Sequence, residues 1–261
     1  MRVALFVTCV NDVAFPSTGI AAVRVLERLG VEVDFPEAQT CCGQMQYNTG
    51  YPAEARPLAE KFGRDFRGYE AIVVPSGSCG AFVRDVHPKL LGSAEPPPVY
   101  ELTEFLTDVL KTEEVGAYFP HRVAYHPTCH SSRLLKLGDR PTRLLNRVEG
   151  LELVELPGAE ECCGFGGTFS VKNPDVSAAM GADKVAHAVE SGAEFLVAAD
   201  NSCLLHIGGT ARRSAAPIRT LHLAEILAST KAEPYAAGSQ HQRSAQSIHP
   251  TQPALSTEAA R

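Results

Sequence analysis

The eight cysteines of this 261-residue chain are the residues best suited to chemistry, and they fall into two sets with nearly the same spacing. Each set has one cysteine, then an adjacent Cys-Cys-Gly 32 or 33 positions later, then a fourth cysteine 37 or 40 positions after the pair. Thiolates bind soft metals and iron–sulfur clusters, and they also act as nucleophiles. The candidate metal ligands are Cys9, Cys41, Cys42, Cys79, Cys129, Cys162, Cys163 and Cys203.

Composition excludes several classes of protein. Hydrophobic residues make up 44% of the chain, charged residues 21%, and the net charge is −6, so a nucleic-acid-binding protein is not expected. No stretch approaches the roughly 18 consecutive apolar residues of a spanning helix. The apolar run V-A-L-F-V near the N-terminus is too short for a signal peptide. We therefore expect a cytoplasmic protein, in which thiols serve as metal ligands or catalytic groups rather than as structural disulfides.

The rest of the chain is duplicated along with the cysteines. The segment 51–75 corresponds to 173–199, since each has a proline near a helix start, an amphipathic run, a glycine and an apolar strand. The period of about 120 residues predicts two domain-sized halves, at 1–117 and 118–231. The Ser/Gln/Ala/Pro-rich segment 232–261 is expected to be a disordered tail.

Within each half, apolar strands alternate with amphipathic helices. This order predicts an α/β fold of two tandem pseudo-symmetric halves, each a small parallel sheet flanked by helices. Strands are predicted at 2–7, 31–35, 71–75, 122–126, 151–156 and 195–199, and helices at 17–29, 52–68, 140–147 and 174–190.

Every cysteine follows the carboxyl end of a predicted strand. Ligands of open parallel sheets bind at that edge, so four thiols that are distant in sequence can meet there. Zinc held by four thiolates is one interpretation, although zinc usually takes short Cys-x-x-Cys pairs, which are absent here. An iron–sulfur cluster accepts longer spacings. Buried unreactive cysteines and disulfides are the remaining, less fitting interpretations.

The motifs SGSCGAF, HPTCH, CCGFGGTFSVKNPDVSAAM and DNSCLLHIGG resemble the cysteine-rich CCG-domain family. That family includes the cysteine-rich subunit of heterodisulfide reductase and the iron–sulfur subunit of glycolate oxidase, and the motifs are most similar to its lactate-utilization branch. The resemblance covers about residues 2–230. It implies two pseudo-symmetric α/β halves that hold one or two iron–sulfur clusters of the [4Fe-4S] kind, with all eight cysteines as ligands.

The resemblance also implies a function, namely an electron-transfer component of an oxidoreductase complex that oxidises L-lactate to pyruvate. Its implied partners are a ferredoxin-type iron–sulfur subunit and other lactate-utilization proteins. Heterodisulfide reductases take a further cysteine from a Cys-x-x-Cys, but here Ser76 and Asp200 stand at that position. The alternatives are a thiol/disulfide reductase of the heterodisulfide reductase type and a zinc-stabilised interaction module, with zinc in the first half.

The second half has the richer surroundings. Histidines flank Cys129 and follow Cys203, whereas the corresponding places of the first half carry none, so no histidine is expected near the first quartet. Histidines could donate to cluster sulfurs, ligate iron or move protons, and glycines let the backbone approach a cluster closely. The same histidines could instead cap helices. Lys172 could add positive charge near the thiolates, or it could be a solvated loop residue. The residues expected to surround the centres are His126, His130, His206, Gly43, Gly164, Gly166, Gly167 and Lys172.

Other cofactor chemistry is not indicated. The stretch GFGGTF does not fit the dinucleotide-binding pattern Gly-x-Gly-x-x-Gly, and no Gly-x-x-x-x-Gly-Lys phosphate loop occurs. An iron–sulfur protein without flavin or nicotinamide needs partners to bring and remove electrons. We therefore expect one component of an oxidoreductase rather than a complete enzyme.

Overall fold

The structure is a computed structural model that describes residues 1–92 and 98–235. Its eight strands are β1 (Arg2–Leu5), β2 (Glu32–Asp34), β3 (Ile72–Val74), β4 (Val99–Glu101), β5 (Arg122–Tyr125), β6 (Glu152–Val154), β7 (Phe195–Ala198) and β8 (Arg219–His222). They form two four-stranded parallel sheets, in the orders β2-β1-β3-β4 and β6-β5-β7-β8. The second sheet therefore repeats the topology of the first.

Helices connect the parallel strands and flank both sheets. Those of the first half are α1 (Cys9–Ala14), α2 (Pro16–Arg28), α3 (Gln44–Asn48), α4 (Pro52–Asp65), α5 (Gly77–Asp85), α6 (His87–Leu91) and α7 (Leu102–Glu104), which continues into a π-helical turn (Phe105–Val109). Those of the second half are α8 (Cys129–Arg133), α9 (Arg140–Asn146), α10 (Phe169–Lys172), α11 (Pro174–Glu190), α12 (Asn201–Arg213) and α13 (Leu223–Ala228). The predicted fold class is confirmed.

The register of the central strands shows which positions of the two halves correspond. Ala4 of β1 lies beside Ile72 of β3, and Ala124 of β5 lies beside Leu196 of β7. Because Ala4 and Ala124 hold the same place in the two sheets, residues 5–9 correspond to residues 125–129. The duplication is thus visible residue by residue where the cysteines follow the strands.

The two halves share one hydrophobic core. A single cluster of buried side chains joins Val3 and Leu5 of the first sheet to Val123 and Phe195 of the second. Among the described residues, two smaller clusters lie one in each half, and a third joins Ala81 of the first half to Leu135 and Leu137 of the second. Because the main cluster is common, the halves are interlocked rather than independent.

Helices that pack across the two halves reinforce this arrangement. Helix α2 of the first half packs against α13 of the second. The hydroxyls of Ser17 and Thr18 donate to Glu225 Oε1 at 3.2 and 3.1 Å, and Arg28 donates to the Leu227 carbonyl. These contacts fix the orientation of the two sheets, which in turn determines where their carboxyl ends meet.

The end of the second half continues past α13. Tyr235 packs against the rings of Phe119 and Phe195, with centroids 5.8 and 6.1 Å apart. Residues 236–261 of the predicted tail lie outside the described residues, and the boundaries at 117 and 231 stay predictions. None of the helices in the described part of the chain combines the length and the apolar character needed to cross a bilayer.

Candidate metal centre

The cysteines lie at the carboxyl ends of the parallel strands, as predicted. Cys9 begins α1 and Cys129 begins α8, while Cys79 and Cys203 lie in the first turns of α5 and α12. The adjacent pairs lie in the loops that follow β2 and β6. Four of the thiols are therefore held at helix N-termini, where unpaired backbone N–H groups favour a negatively charged sulfur.

In the first half, the four thiols come into contact. Cys9 Sγ lies 3.7 Å from Cys41 Sγ, and Cys42 Sγ lies 3.3 Å from Cys79 Sγ. All eight cysteines of the chain are free thiols. Because sulfurs from three separate strand ends lie this close together, the quartet is a ready set of soft ligands.

The second half repeats these contacts. Cys129 contacts Cys162, Cys162 contacts Cys163, and Cys163 contacts Cys203. The fourfold set is therefore present twice, with the same order of contacts along the chain.

Both quartets line one cleft between the halves. The cleft has a volume of about 170 Å³, opens to solvent, and has all eight cysteines in its wall. The sequence predicts two separate centres at two sheet edges. The structure shows that these edges face each other, because the shared core turns the carboxyl ends of both sheets toward the same side.

A glycine after each cysteine pair supports one thiolate per quartet. The Gly43 N–H donates to Cys41 Sγ and the Gly164 N–H donates to Cys162 Sγ, both at 3.4 Å. Both glycines have left-handed backbones, with φ of +94° and +90°, which other residues rarely adopt. The sequence predicts a close approach of these glycines to a cluster, which stays a prediction, and the structure places their N–H groups on the sulfur of the first cysteine of each pair.

Hydrogen bonds between thiols set which sulfur is the anion. The pKa of Cys41 is lowered to about 2 by hydrogen bonds from Cys42 and Cys9 and from the Gly43 N–H. The pKa of Cys162 is lowered to about 2 by Cys129, Cys163 and the Gly164 N–H. The pKa values of the donating thiols are raised by the same contacts and by burial. Each quartet thus holds a thiolate ready for a cation.

The side chain of His126 lies beneath the second quartet. Its ring is 1% exposed, and among the described residues neither ring nitrogen has a hydrogen-bond partner. A ligand atom of its ring lies within 4.8 Å of Cys163 Sγ and Cys203 Sγ. Burial lowers its pKa to about 4, helped by the positive charge of Lys184, so the ring is neutral at physiological pH.

The other predicted surrounding residues are placed as follows. His130 lines the cleft, with Nε2 3.4 Å from Gln44 Nε2 of the first half. His206 faces the other way, with Nε2 3.1 Å from the Ser177 carbonyl between α11 and α12. Lys172 is exposed. Gly166 and Gly167 line the cleft beside the second cysteine pair.

The expectation that the first half has no nearby histidine is wrong. His87 is buried, and its Nε2 lies 2.8 Å from the carbonyl oxygen of Cys42. It was missed because it follows Cys79 by eight residues, outside the motif, and reaches the cysteine pair only because α6 packs against α4. It contacts the backbone of the pair rather than a sulfur.

Two further buried polar residues were also missed. Lys184 is 1% exposed, donates from Nζ to the Gly158 carbonyl, and lies near the second quartet, although burial lowers its pKa. Asp200 lines the cleft, and its carboxylate accepts four hydrogen bonds, from the N–H and hydroxyl of Ser202, the N–H of Ser78 and the hydroxyl of Ser76. Lys184 could have been found from the sequence, because it stands at a buried position of an amphipathic helix.

The donor set fits a metal ion or an iron–sulfur cluster. Eight reduced thiols converge, helix N-termini and glycine N–H groups face the sulfurs, and one buried imidazole has unused nitrogens. Groups of this kind hold soft metals and rarely lie buried without a partner. The geometry therefore indicates metal or cluster binding at the cleft.

Comparisons with known proteins agree with this arrangement. A family model described as "Cysteine-rich domain" (CCG) matches residues 3–84 and 123–208. "Lactate utilization protein A" of Geobacillus kaustophilus (strain HTA426) is 49% identical over 235 residues, covering 87% of this chain and 98% of that protein. The protein of the same name from Exiguobacterium sp. (strain ATCC BAA-1283 / AT1b) is 48% identical over 237 residues, covering 87% and 96%.

A solved structure supports the fold alone. The crystal structure of a hypothetical protein from Helicobacter pylori matches with a TM-score of 0.54 at 13% identity. The match covers 87% of this chain and 48% of that one, so this chain spans about half the length of the Helicobacter protein. Together, the duplicated cysteine motif, its position at the sheet edges and the identity to curated relatives show that the chain belongs to the CCG cysteine-rich domain family, alongside the lactate utilization A proteins.

Proposed function

We propose that this protein is an iron–sulfur electron-transfer component of an oxidoreductase complex that oxidises L-lactate to pyruvate. The observation that carries the proposal is the convergence of two complete thiol quartets on one cleft. The names of the relatives, which are 45–49% identical over most of the chain, supply the lactate part. Bound clusters, which we expect to be of the [4Fe-4S] kind, would supply one-electron transfer.

The chain's own residues have definite parts in this function. The sulfurs of Cys41 and Cys162 would be favoured as the first ligands, because hydrogen bonds from neighbouring thiols and from a glycine N–H lower their pKa and stabilise the thiolate form. The N–H groups of Gly43 and Gly164 stabilise those sulfurs and favour added electron density on them. Because both centres open into the same cleft, a partner that docks there would reach both.

The partners we propose are a ferredoxin-type iron–sulfur subunit and other lactate-utilization proteins. An iron–sulfur subunit receives and passes on electrons, so separate proteins must bind the substrate and the final acceptor. A cytoplasmic location fits the eight free thiols, because reducing compartments keep such thiols reduced.

Zinc is the second candidate, and the sulfur spacing favours it in the first half. Ligands about 2.3 Å from a tetrahedral zinc lie roughly 3.8 Å apart. The Sγ atoms of Cys9 and Cys41, at 3.7 Å, are close to that spacing. A zinc site there would give the first half a structural role and leave electron transfer to the second.

Disulfide reduction is the third candidate, favoured by the shared cleft. A disulfide substrate entering the cleft would meet cysteines of both halves. This hypothesis predicts thiol production from a disulfide by the isolated, reduced protein, whereas the electron-transfer hypothesis predicts none.

Anaerobic purification followed by metal, sulfide and electron paramagnetic resonance (EPR) analysis tests the proposal. We expect brown protein with iron, acid-labile sulfide and an EPR signal on reduction, and electron transfer from lactate once the partner proteins are added. Colourless protein with about one zinc per quartet and no sulfide would overturn it. The matched control is a variant with serine at Cys129, Cys162, Cys163 and Cys203, which should keep only the metal of the first quartet.

A further inference from the structure

The residue directly after the first strand of each sheet differs between the halves. The Phe6 N–H donates to the Val73 carbonyl at 2.9 Å, and the His126 N–H donates to the Val197 carbonyl at 2.7 Å. Phe6 and His126 therefore hold the same place in the duplicated fold, three residues before the first cysteine of each quartet. The first half has an apolar ring there and the second half has an imidazole.

The helix residue that packs against Phe6 in the first half is aromatic, whereas the one that packs against His126 in the second half is polar. Phe62 lies ten residues after the proline that begins α4, and Lys184 lies ten residues after the proline that begins α11. In the first half the rings of Phe6 and Phe62 meet edge to face, with centroids 5.1 Å apart. The second half replaces this aromatic pair by two buried polar side chains, a substitution that costs folding energy unless both find partners.

The side chain of Lys184 has a hydrogen-bond partner. Its Nζ donates to the carbonyl of Gly158. His126 does not, since neither of its ring nitrogens is hydrogen-bonded within the part of the chain that the structure describes, although the ring is almost completely buried. A buried imidazole without hydrogen bonds needs an explanation, and a metal bound to one of its nitrogens supplies one.

The nearest groups that could use such a nitrogen are sulfurs of the second quartet. The three ligand atoms of His126, Cys163 and Cys203 lie within 4.8 Å of one another. Tetrahedral ligands about 2.0–2.3 Å from one metal lie roughly 3.5–3.8 Å apart, so a shift of about 1 Å would bring all three onto one metal. Imidazole nitrogen is a normal ligand of iron and of zinc.

The carboxylate oxygens of Asp200, which could also bind a metal, already have hydrogen-bond partners. The Asp200 carboxylate accepts four hydrogen bonds, two from Ser202 and two from the first half. Ser76, its counterpart in the first half, accepts the Cys79 N–H and donates to Asp200. The ring of His126, unlike these oxygens, has no hydrogen-bond partner among the described residues.

We propose that His126 is a nitrogen ligand of the metal centre in the second half, next to Cys163 and Cys203. The assignment rests on the proposed function only in requiring that the second quartet hold a metal. The first centre, with Phe6 in this place, has thiolate ligands alone.

A mixed ligand set changes the electronic properties of the second centre. Where the neutral imidazole takes the place of one thiolate on the metal, the centre is less negative and its reduction potential is higher. The two centres that line the cleft would then differ in potential, with the second the better electron acceptor.

Histidine labelled with ¹⁵N, combined with pulsed EPR of the reduced, anaerobically prepared protein, tests the assignment. We expect a directly coordinated nitrogen signal in the wild type. It should disappear in His126→Phe, which places the residue of the first half at the equivalent position, and in His126→Gln. It should persist in the control His206→Gln, whose histidine lies in the same half but faces Ser177. Iron and sulfide contents are measured in parallel on every sample.

The outcomes separate this assignment from the proposed function. Iron and sulfide without a nitrogen signal, or a signal that survives both His126 variants, overturns the ligand assignment and leaves the electron-transfer proposal standing. If the protein holds zinc instead, electron transfer is overturned, and X-ray absorption decides the ligand. A nitrogen shell at about 2.0–2.1 Å beside sulfur at about 2.3 Å, lost in His126→Phe, supports His126, while an all-sulfur shell overturns it. Protein that binds neither metal overturns both.

Discussion

The Asp200 carboxylate of the second half accepts a hydrogen bond from the Ser78 backbone N–H of the first half, with 2.7 Å between Oδ2 and N. Ser78 precedes Cys79 and Asp200 lies three residues before Cys203, so this one contact joins the N-terminal ends of α5 and α12, which carry the fourth thiol of each quartet. The side chain is buried at the cleft wall. Its hydrogen bonds therefore tie the two quartets together as well as stabilising the interface between the halves.

Replacing Asp200 by Asn tests this link. The amide can accept fewer of the four hydrogen bonds, so at least one buried donor loses its partner, at a cost of about 2–3 kcal/mol in the free energy of unfolding. Urea denaturation monitored by circular dichroism measures it. The exposed Asp183→Asn, on α11, is the control and should change stability by less than about 0.5 kcal/mol. Equal stability of the two variants would contradict the role of Asp200.

The buried carboxyl of Glu101 should make the stability of the protein depend on pH. Its carboxyl is buried, Oε1 has no hydrogen-bond partner among the described residues, and burial raises its pKa to about 7. A raised carboxyl pKa means that the folded state binds the proton more tightly than the unfolded state. The stabilisation is therefore complete below about pH 4.5 and is lost as the pH rises toward 7.

Glu101→Gln should remove the loss of stability that the wild type shows as the pH rises. The variant should be more stable than the wild type at pH 8, by roughly 1–3 kcal/mol, and nearly equal at pH 5. Thermal melts from pH 5 to pH 8 measure the difference. Glu54→Gln, an exposed residue in the first turn of α4, is the control. A wild type whose stability rises steadily between pH 5 and 8 would show that Glu101 stays ionised in the folded protein.

The fold was predictable because its signals are local. Apolar runs indicated the strands, and the predicted helix 174–190 coincides with α11 (Pro174–Glu190). The recurring cysteines indicated which edge of each sheet matters. The short helices that begin at Cys9 and Cys129 have no such signal, since they are five or six residues long and are held by the sheet edge.

The relation between the halves was not predictable in the same way. That both quartets line one cleft depends on the core shared by Val3, Leu5, Val123 and Phe195, and on α2 packing against α13. Such contacts join residues that are more than a hundred positions apart, and no periodicity in the sequence records them. Lys172 was chosen by its nearness in sequence to the second cysteine pair, whereas Lys184 is the buried cation.

The glycines after the cysteine pairs should differ in their tolerance of a side chain. A Cβ at Gly164 would lie 2.6 Å from the Ser177 carbonyl oxygen, whereas one at Gly43 would come no closer than 3.3 Å, to the Ala55 carbonyl oxygen. Both have positive φ, which costs a non-glycine residue about 1–2 kcal/mol. Gly43→Ala should therefore lower stability by about that amount, and Gly164→Ala by more, with loss of metal from the second quartet. Calorimetry with metal analysis compares them, and similar melting temperatures would contradict the clash.

Lys184→Met should lower the reduction potential of the second centre. Its buried positive charge lies near the sulfurs of Cys129, Cys162 and Cys163, and a nearby cation stabilises the added electron. Redox titration followed by EPR measures the potential on samples with wild-type iron content. Lys172→Met, which removes an exposed lysine from the same region, should leave the potential unchanged. A shift in Lys172→Met and none in Lys184→Met would show that the loop lysine has the role.

The matched cysteines Cys42 and Cys163 should differ in what their loss does. Each is the buried second cysteine of its Cys-Cys pair, and replacement by serine exchanges sulfur for oxygen in both. Cys163 lies beside the imidazole of His126, whereas Cys42 packs in a cluster with the rings of Phe62 and Phe82. We expect the second centre to be the redox-active one and the first to act as a relay or a structural site.

Cys163→Ser should therefore abolish lactate-dependent reduction of an acceptor by the complex while the protein remains folded. Cys42→Ser should chiefly lower the yield and the melting temperature, because a polar hydroxyl replaces a thiol in an aromatic cluster and the loop loses a ligand. Metal content, melting temperature and acceptor reduction are measured on both variants. Complete loss of activity in Cys42→Ser at normal stability, with activity retained in Cys163→Ser, would reverse the two assignments. That reversal would place the redox centre in the half where Phe6 leaves the thiolates as the only ligands and His87 contacts the backbone of the cysteine pair.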